Sequence, residues 1–580
     1  MWKMSGENNI CTYIGAWGRW LLVALLLYAK CYVFDVLIAQ PNIVSWEMTD
    51  HLSYLAAATL LAIPVMLTRH KFPAFIILAI TDMWMIANII YYRSYRLFIT
   101  WHLFSLVGNM EGFWSSILPY CTFSLLLIPL LSLPVLICLL WEARQLRVFE
   151  VLSVMLLSAS LSIGAAYCKW NDVKAYLPND HFSWEWINPC SIPQALSSDI
   201  SEKERQAANY IRYRSILAYP LYMANDAICT ALHSSEPEAL TAEEKEELQK
   251  IAGPVTSPHQ PQGNLLIVLL ESFESWLLDA KDANGNPICP ALNDYINTHP
   301  VLYVQDVASQ IQFGMSGDGQ LIVNTGLYPT MEGVACIDYG HHVYPNLAHF
   351  YPHSAVVNPC RNVWNQTVVA ASYGYKRLVE PQTENRFEWN DSIVMDKIIA
   401  TFQSSPVPTC VMGITVSGHI PFDSSPDDVA MADTVPELFR RYMQTAHFTD
   451  RQLGRLLAWA DTAQVMQNSV IAITGDHRIF HAWMGDDIRE FGLRAHLPFG
   501  TGQAGCPLIV KAPKMVSQRI VKQARQIDIY PTILYYIGQE DYFWKGMGCS
   551  LKEGEATSDE NYNLRRQLSD KLIRMNYFAD

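Results

Sequence analysis

The chain has 580 residues, 51% of them hydrophobic, with 17 Trp and a formal net charge of −14. That length allows two or more domains with a sizeable core, and the apolar content is high for a fully soluble enzyme. Residues 1–168 carry 9 Lys/Arg and 8 Asp/Glu while the other 412 carry 32 and 47, so the acidity lies in the later part, which speaks against nucleic acid as a partner.

Five apolar stretches, residues 20–39, 53–67, 72–92, 123–141 and 151–168, approach the twenty or so residues that cross a bilayer. They predict a five-helix transmembrane domain over 1–168. The second is short and holds Pro64. Arg69-His70-Lys71 after stretch two and Arg144 with Arg147 after stretch four mark cytoplasmic loops, so an odd number of spans exports the C-terminal half. Stretch one has no small-residue cleavage site and reads as a signal anchor. Lys30, Asp35 and Asp82 fall inside spans, where a charge is costly unless it snorkels or is paired.

Residues 169–262 are polar and repeatedly interrupted by Pro, with helical runs near 202–213 and 241–251. Thr241-Ala242-Glu243-Glu244 is a capping-box start. This segment reads as a helical juxtamembrane linker. Eight of the 13 cysteines follow residue 168, namely Cys190, Cys229, Cys289, Cys336, Cys360, Cys410, Cys506 and Cys549. An exported half could join them in up to four disulfides, which would suit a periplasm better than a bare Gram-positive surface.

At residue 264 the texture changes. The run Asn264-Leu265-Leu266-Ile267-Val268-Leu269-Leu270 suits a strand buried on both faces, and it ends on Glu271. Gln312-Phe313-Gly314-Met315-Ser316-Gly317-Asp318-Gly319-Gln320 sets a hydroxyl in a glycine-flanked turn at the start of a helix-like run. A helix start favours incoming negative charge, so Ser316 is a seat for a nucleophile that attacks phosphate. Two further apolar runs, 411–416 and 469–474, lead to Ser417-Gly418-His419 and to Gly475-Asp476-His477. Helical segments such as 436–460 lie between these runs. Strands that alternate with helices predict a mostly parallel sheet covered on both faces, whose strand ends carry the ligand site.

Carboxylates with one imidazole at such strand ends suit a divalent ion, Mn2+ or Zn2+, and the Ser316 oxygen offers a further ligand. The ion would lower the pKa of the hydroxyl and neutralise a phosphoryl oxygen.

In this order, Asn264 to Ser272, Gly314 to Gln320, Trp364-Asn365, His419-Ile420-Pro421-Phe422, Gly475-Asp476-His477 and Gln526-Ile527-Asp528-Ile529-Tyr530-Pro531-Thr532-Ile533-Leu534 resemble the sulfatase-type branch of the alkaline phosphatase superfamily. With the preceding spans the layout resembles lipoteichoic acid synthases and related membrane phosphoglycerol and phosphoethanolamine transferases. The resemblance implies an α/β sulfatase-like domain over 263–545, followed by a tail at 546–580. It implies one metal ion on Glu271, Asp476, His477 and Ser316, attack by Ser316 on a phospholipid head group, and substrate held by His419 and Trp364. The donor would be phosphatidylglycerol or phosphatidylethanolamine, and the acceptor an envelope glycan or lipid. The protein would then sit in a bacterial inner (cytoplasmic) membrane as a multi-pass protein with its catalytic domain outside. The alternative is a phosphodiesterase, phosphatase or sulfatase-like hydrolase, with water as acceptor.

Two features depart from the pattern. The nucleophile is Ser316 where the family usually has Thr, and both are hydroxyls. The His–Gly stretch before the family's Trp and the Arg just after it are missing from Asn358-Pro359-Cys360-Arg361-Asn362-Val363-Trp364-Asn365-Gln366, which leaves Arg361 or His353 to stand in. Formylglycine-dependent sulfate hydrolysis is disfavoured, because Ser316-Gly317-Asp318-Gly319-Gln320 lacks the Pro and Arg that conversion needs.

Overall fold

In a computed structural model of the chain, the described residues are 4–38, 48–70, 72–95, 98–101, 103, 120–139, 148–174, 181–191, 203–233, 239–257, 259–331, 333–361, 363–382, 389–423, 425, 427–479, 486–498, 504–554 and 561–579. Those up to 233 form one compact unit and those from 239 onward form another.

The first unit is helical: α1 (Met4–Ile38), α2 (Met48–Leu61), α3 (Phe72–Tyr95) and α4 (Val148–Val173). Three helices among the described residues are long and apolar enough to cross a membrane, Gly15–Ile38, Phe72–Arg93 and Val148–Asp172, where five were expected. Proline accounts for both differences. α2 stops after 14 residues, about 21 Å at the α-helical rise, and a 3-10 turn over Ile63–Val65 takes in Pro64. The fourth stretch is divided into Phe123–Leu126, Leu127–Leu130 and Leu133–Leu139, because Pro129 and Pro134 lack the N–H that a continuous ladder requires. Lys30 and Asp82 pair directly inside this unit, and Ser132 Oγ accepts from Lys30 while donating to Asp82 at 2.7 Å.

The expected linker at 169–262 is not a separate body. Ala207, Tyr210, Ile211, Ile216 and Tyr219 bury their side chains in the same cluster as Val23, Leu27 and Phe34 of α1. Apolar periodicity thus gives the helices Lys203–Tyr213 and Tyr219–His233 to the first unit. The later part belongs to the second unit. There α5 (Ala242–Ile251) starts on the Thr241 capping box, and Ala252 and Val255 bridge to Trp544 and Tyr542.

Nine strands form the second unit's sheet: β1 (Leu265–Leu270), β2 (Leu302–Ala308), β3 (His353–Val357), β4 (Arg377–Val379), β5 (Thr409–Ile414), β6 (Val470–Gly475), β7 (Cys506–Lys511), β8 (Gln518–Ile520) and β9 (Ala524–Arg525). Their order is β4-β3-β5-β1-β6-β7-β2-β8, with β9 on β2. The sheet is mixed: β4, β3, β5, β1 and β6 run together, β7 is antiparallel to both β6 and β2, and β8 and β9 pair parallel to β2. Leu265, Ile267 and Leu269 enter the core on one face, and Leu266, Val268 and Leu270 enter the core on the other. That division is why β1 is apolar at every position.

Further helices are α6 (Pro290–Thr298), α7 (Met315–Thr325), α8 (Gln366–Ser372), α9 (Asp391–Ser404), α10 (Glu437–Thr462), α11 (Ile529–Tyr536) and α12 (Tyr562–Arg574). α12 lies in the expected tail, yet Leu568, Leu572 and Ile573 are core residues. Lys571 and Arg565 pair with the buried Glu244 and Glu247 of α5 at 2.9 and 2.7 Å. The unit therefore extends beyond 545 because α12 closes over α5.

Of the eight cysteines after residue 168, Cys190, Cys289, Cys336, Cys410, Cys506 and Cys549 are free. Cys336 and Cys410 pack on one face of the sheet and Cys289 on the other, each as a small apolar side chain, and Cys506 is buried as well. The full set of four disulfides that the count allows is therefore not formed.

Candidate active site

Three parallel strands deliver the site. β1 ends on Glu271, β6 leads into Asp476 and His477, and β5 leads into the loop that carries His419. The first turn of α7 supplies Ser316. The Ser316 hydroxyl lies 3.2 Å from Glu271 Oε2 and 3.2 Å from His477 Nε2. His477 Nε2 is 3.7 Å from both Glu271 Oε1 and Asp476 Oδ2.

Backbone contacts allow this convergence. A Cβ on Gly319 would stand 2.4 Å from the Asp476 carbonyl oxygen, and one on Gly418 would stand 2.3 Å from the Glu271 carbonyl oxygen. Only glycine lets these segments approach so closely. Ser272, Met315, Trp364, Asn365 and Phe422 all have φ between 44 and 60°, five of the nine non-glycine residues with positive φ among those described. Such backbone costs roughly 1–3 kcal/mol per residue and collects where the surrounding structure enforces a functional geometry.

Each polar atom has a definite task. Ser272 N and His477 N donate to Asp476 Oδ1 at 3.0 and 2.7 Å, and Ser272 Oγ donates to Glu271 Oε1 at 2.8 Å. His477 Nδ1 lies 2.9 Å from the Arg478 carbonyl, which assigns the proton to Nδ1 and leaves the Nε2 lone pair facing Ser316. Asp476 Oδ2 is buried without a hydrogen-bond partner. Donor atoms of Glu271, Asp476 and His477 lie within 4.8 Å of one another. Two carboxylates, an imidazole and an orphaned buried oxygen fit a divalent cation.

The charges agree with that fit. Burial pushes the Asp476 carboxyl up from its ordinary value, and the Glu271 charge adds to the effect. Burial works in the same direction on Glu271, but the His477 and His419 charges outweigh it and hold this carboxyl low. Burial would lower His477, and the Asp476 and Glu271 carboxylates instead raise it.

The substrate residues expected from the sequence divide. Trp364 belongs to the site: a Cβ on Gly317 would stand 3.5 Å from Trp364 Cβ, and the indole packs with Cys360, Val363 and Val416. His419 lies on the loop whose Gly418 abuts Glu271, and its Nδ1 is 2.6 Å from the Ile420 carbonyl. Arg361 donates to the Gln382 carbonyl at 3.0 Å. His353 opens β3 and is exposed there, at the strand end opposite the catalytic loops, so it does not replace the missing histidine.

Two residues that sequence reasoning missed hold the site in place. Asp318 Oδ2 accepts from Gln312 N and Gly314 N at 2.8 and 3.0 Å, which shapes the turn that presents Ser316. Burial pushes its carboxyl up to about 7. Its signal was the acid in a helix's first turn. Asp391 Oδ1 accepts from Val416 N and Ser417 N at 2.7 and 3.0 Å and holds the exit of β5 ahead of His419. Thr449 donates to its other oxygen at 2.6 Å. In sequence Asp391 reads only as an acid at a helix start.

Comparison with known proteins adds two family matches. The sulfatase family model matches residues 337–538, which hold His419, Asp476 and His477 but not Ser316 or Glu271. The lipoteichoic acid synthase N-terminal domain matches residues 4–183. A lipoteichoic acid synthase-like protein of Bacillus subtilis is 26% identical over 314 residues, 51% of this chain and 50% of its own length. Lipoteichoic acid synthase 1 of the same organism is 24% identical over 50% of this chain and 48% of itself. The chain thus spans about half the length of the curated relatives it matches. Among solved structures, the lipooligosaccharide phosphoethanolamine transferase A of Neisseria meningitidis aligns over 90% of this chain and 96% of its own, at 11% identity and a TM-score of 0.55, which is a likeness of fold. The resemblance read from the motifs is therefore present in both halves of the chain.

Proposed function

We propose that this chain, with a lipoteichoic acid synthase N-terminal match in one half and a sulfatase match in the other, is a membrane-anchored head-group transferase. Ser316 takes phosphoglycerol or phosphoethanolamine from a membrane phospholipid and passes it to an envelope glycan or lipid. What carries this reading is the convergence of Ser316 with Glu271, Asp476 and His477 around one unpartnered buried oxygen.

The proposed course has two in-line displacements. Ser316 Oγ attacks the phosphorus of the donor phosphodiester, the bond to the diacylglycerol oxygen breaks, that oxygen takes up the proton Ser316 gives up, and a phosphoserine ester remains. An acceptor hydroxyl then displaces Ser316 from that ester. Glu271 and His477 hold the Ser316 oxygen from two sides, and Asp318 fixes the turn beneath it. Trp364 and His419 border the approach. Glu271, Asp476, His477 and Ser316 would hold the cation, Mn2+ or Zn2+, which supplies neutralisation of the phosphoryl charge and a lower hydroxyl pKa. The amphipathic donor matches a chain with three helices among its described residues able to span a bilayer, and we place the chain in the cytoplasmic membrane with the second unit outside.

Intact mass spectrometry tests this. The full chain in detergent, supplied with Mn2+ or Zn2+ and phosphatidylglycerol or phosphatidylethanolamine, should gain the mass of one head-group phosphate and release diacylglycerol. Ser316→Ala should do neither. If the parent protein shows neither adduct nor diacylglycerol with any donor, the proposal fails.

A further inference from the structure

The second unit has an exposed basic margin around β8. Residues 504–527 contain five Lys/Arg and no Asp/Glu, in a chain whose net charge is −14. Two of the five are engaged, Lys511 with Asp461 and Arg525 over the Tyr562 ring. Lys514, Arg519 and Lys522 are exposed and form no ion pair among the described residues. β8, which carries Arg519, stands at the end of the sheet. Two valines flank it, Val516 at 85% exposure and Val521 at 69%, the two most exposed large hydrophobic residues described in this unit.

A cavity of about 350 Å³ opens beside this strand, lined among others by Lys281, Arg519, Tyr303, Asn293, Asn297 and Asp279. Arg519 stacks over Tyr303 at 5.0 Å. Lys281 is exposed and also forms no ion pair among the described residues; Asp279 shares the cavity lining with it and Arg519, and Asp306 accepts from Gln523 of the margin at 2.8 Å.

We propose that this margin docks on anionic lipid head groups, with Val516 and Val521 entering the interfacial layer. Exposed aliphatic side chains between unpaired lysines suit a surface that is negative outside and apolar just beneath. An apolar protein partner would not need the cations, and a soluble polyanion would not need the valines. The chain's own spanning helices keep a lipid surface within reach. Docking would restrain the catalytic unit against the bilayer, where a lipid donor resides. It needs the membrane but not Ser316 chemistry, so it can fail or hold independently of the proposed reaction.

Hydrogen exchange of the full chain in nanodiscs tests it, with phosphatidylcholine alone or mixed with phosphatidylglycerol. Amides of residues 514–517 and 521–523 should exchange about tenfold more slowly in the anionic discs, and residues 437–462 should not change. Lys514→Gln combined with Lys522→Gln should abolish that protection, as should high salt, in both the parent and Ser316→Ala proteins. Equal exchange in the two kinds of disc would overturn the proposal. Equal protection in neutral discs or detergent would also overturn it, since the cover would then be protein. Protection in detergent by added soluble poly(glycerol phosphate) would assign the margin to a polymer instead of a lipid surface.

Discussion

Ser316 Oγ and His477 Nε2 stand 3.2 Å apart across 161 residues of sequence. Glu271 Oε2 is at the same distance from the hydroxyl. Asp476 completes the group with its one unpartnered oxygen, and this oxygen defines the first prediction.

Asp476→Asn keeps an acceptor for Ser272 N and His477 N but puts an NH2 at the Oδ2 position. Affinity for Mn2+ or Zn2+ should fall at least about a hundredfold. Calorimetric titration of the metal-stripped protein measures it. An unchanged affinity would mean that Asp476 is not a ligand.

Gly319→Ala adds a methyl 2.4 Å from the Asp476 carbonyl. The same change inside an ordinary helix would stabilise by about 0.5–1 kcal/mol. Here the clash should destabilise by about 1–3 kcal/mol and displace Ser316 from His477. Denaturant unfolding and head-group release should both decline.

Asp82→Ala leaves Lys30 buried and unpaired. Destabilisation of about 3–5 kcal/mol is expected in detergent, by thermal or denaturant unfolding. Lys30→Met added to Asp82→Leu should recover most of it, because the loss comes from the stranded charge and not from the missing pair.

Asp450 accepts from Ala291 N and Leu292 N at the start of α6, both at 2.8 Å. Burial nevertheless pushes its carboxyl up to about 6. Between pH 4 and 6 the folded protein therefore binds more protons here than the unfolded chain. Unfolding free energy should decline as pH rises through that window, by up to about 3 kcal/mol from this group, and level off above it. Asp450→Asn should flatten that slope while lowering stability overall, because its NH2 faces a backbone N–H. Unfolding curves at pH 4, 5, 6 and 7 decide it.

Local pattern reaches only as far as the forces it reports. An apolar run bounded by polar turns requires a strand buried on both faces, and β1, β5 and β6 lie where such runs occur. Pattern was weaker at span ends, where Pro64, Pro129 and Pro134 break the ladder inside stretches that hydropathy alone reads as continuous. It was silent on α12, whose polar residues outnumber the apolar stripe formed by Leu568, Leu572 and Ile573.

By itself the sequence determined the ingredients and their order: an apolar half able to enter lipid, an α/β half with acidic and histidine strand ends, and a serine in a glycine turn. Those come from burial, periodicity and backbone freedom, which act over a few residues. Tertiary structure alone decided that Glu271, Ser316, Asp476 and His477 meet while Arg361 turns to the Gln382 carbonyl. It also decided that β7 runs against its neighbours, and that Asp318 and Asp391 serve loops rather than solvent. The physical reason is distance along the chain. Contacts made across a hundred or more residues depend on sheet order and on which backbones can touch, and neighbouring residues carry no record of either.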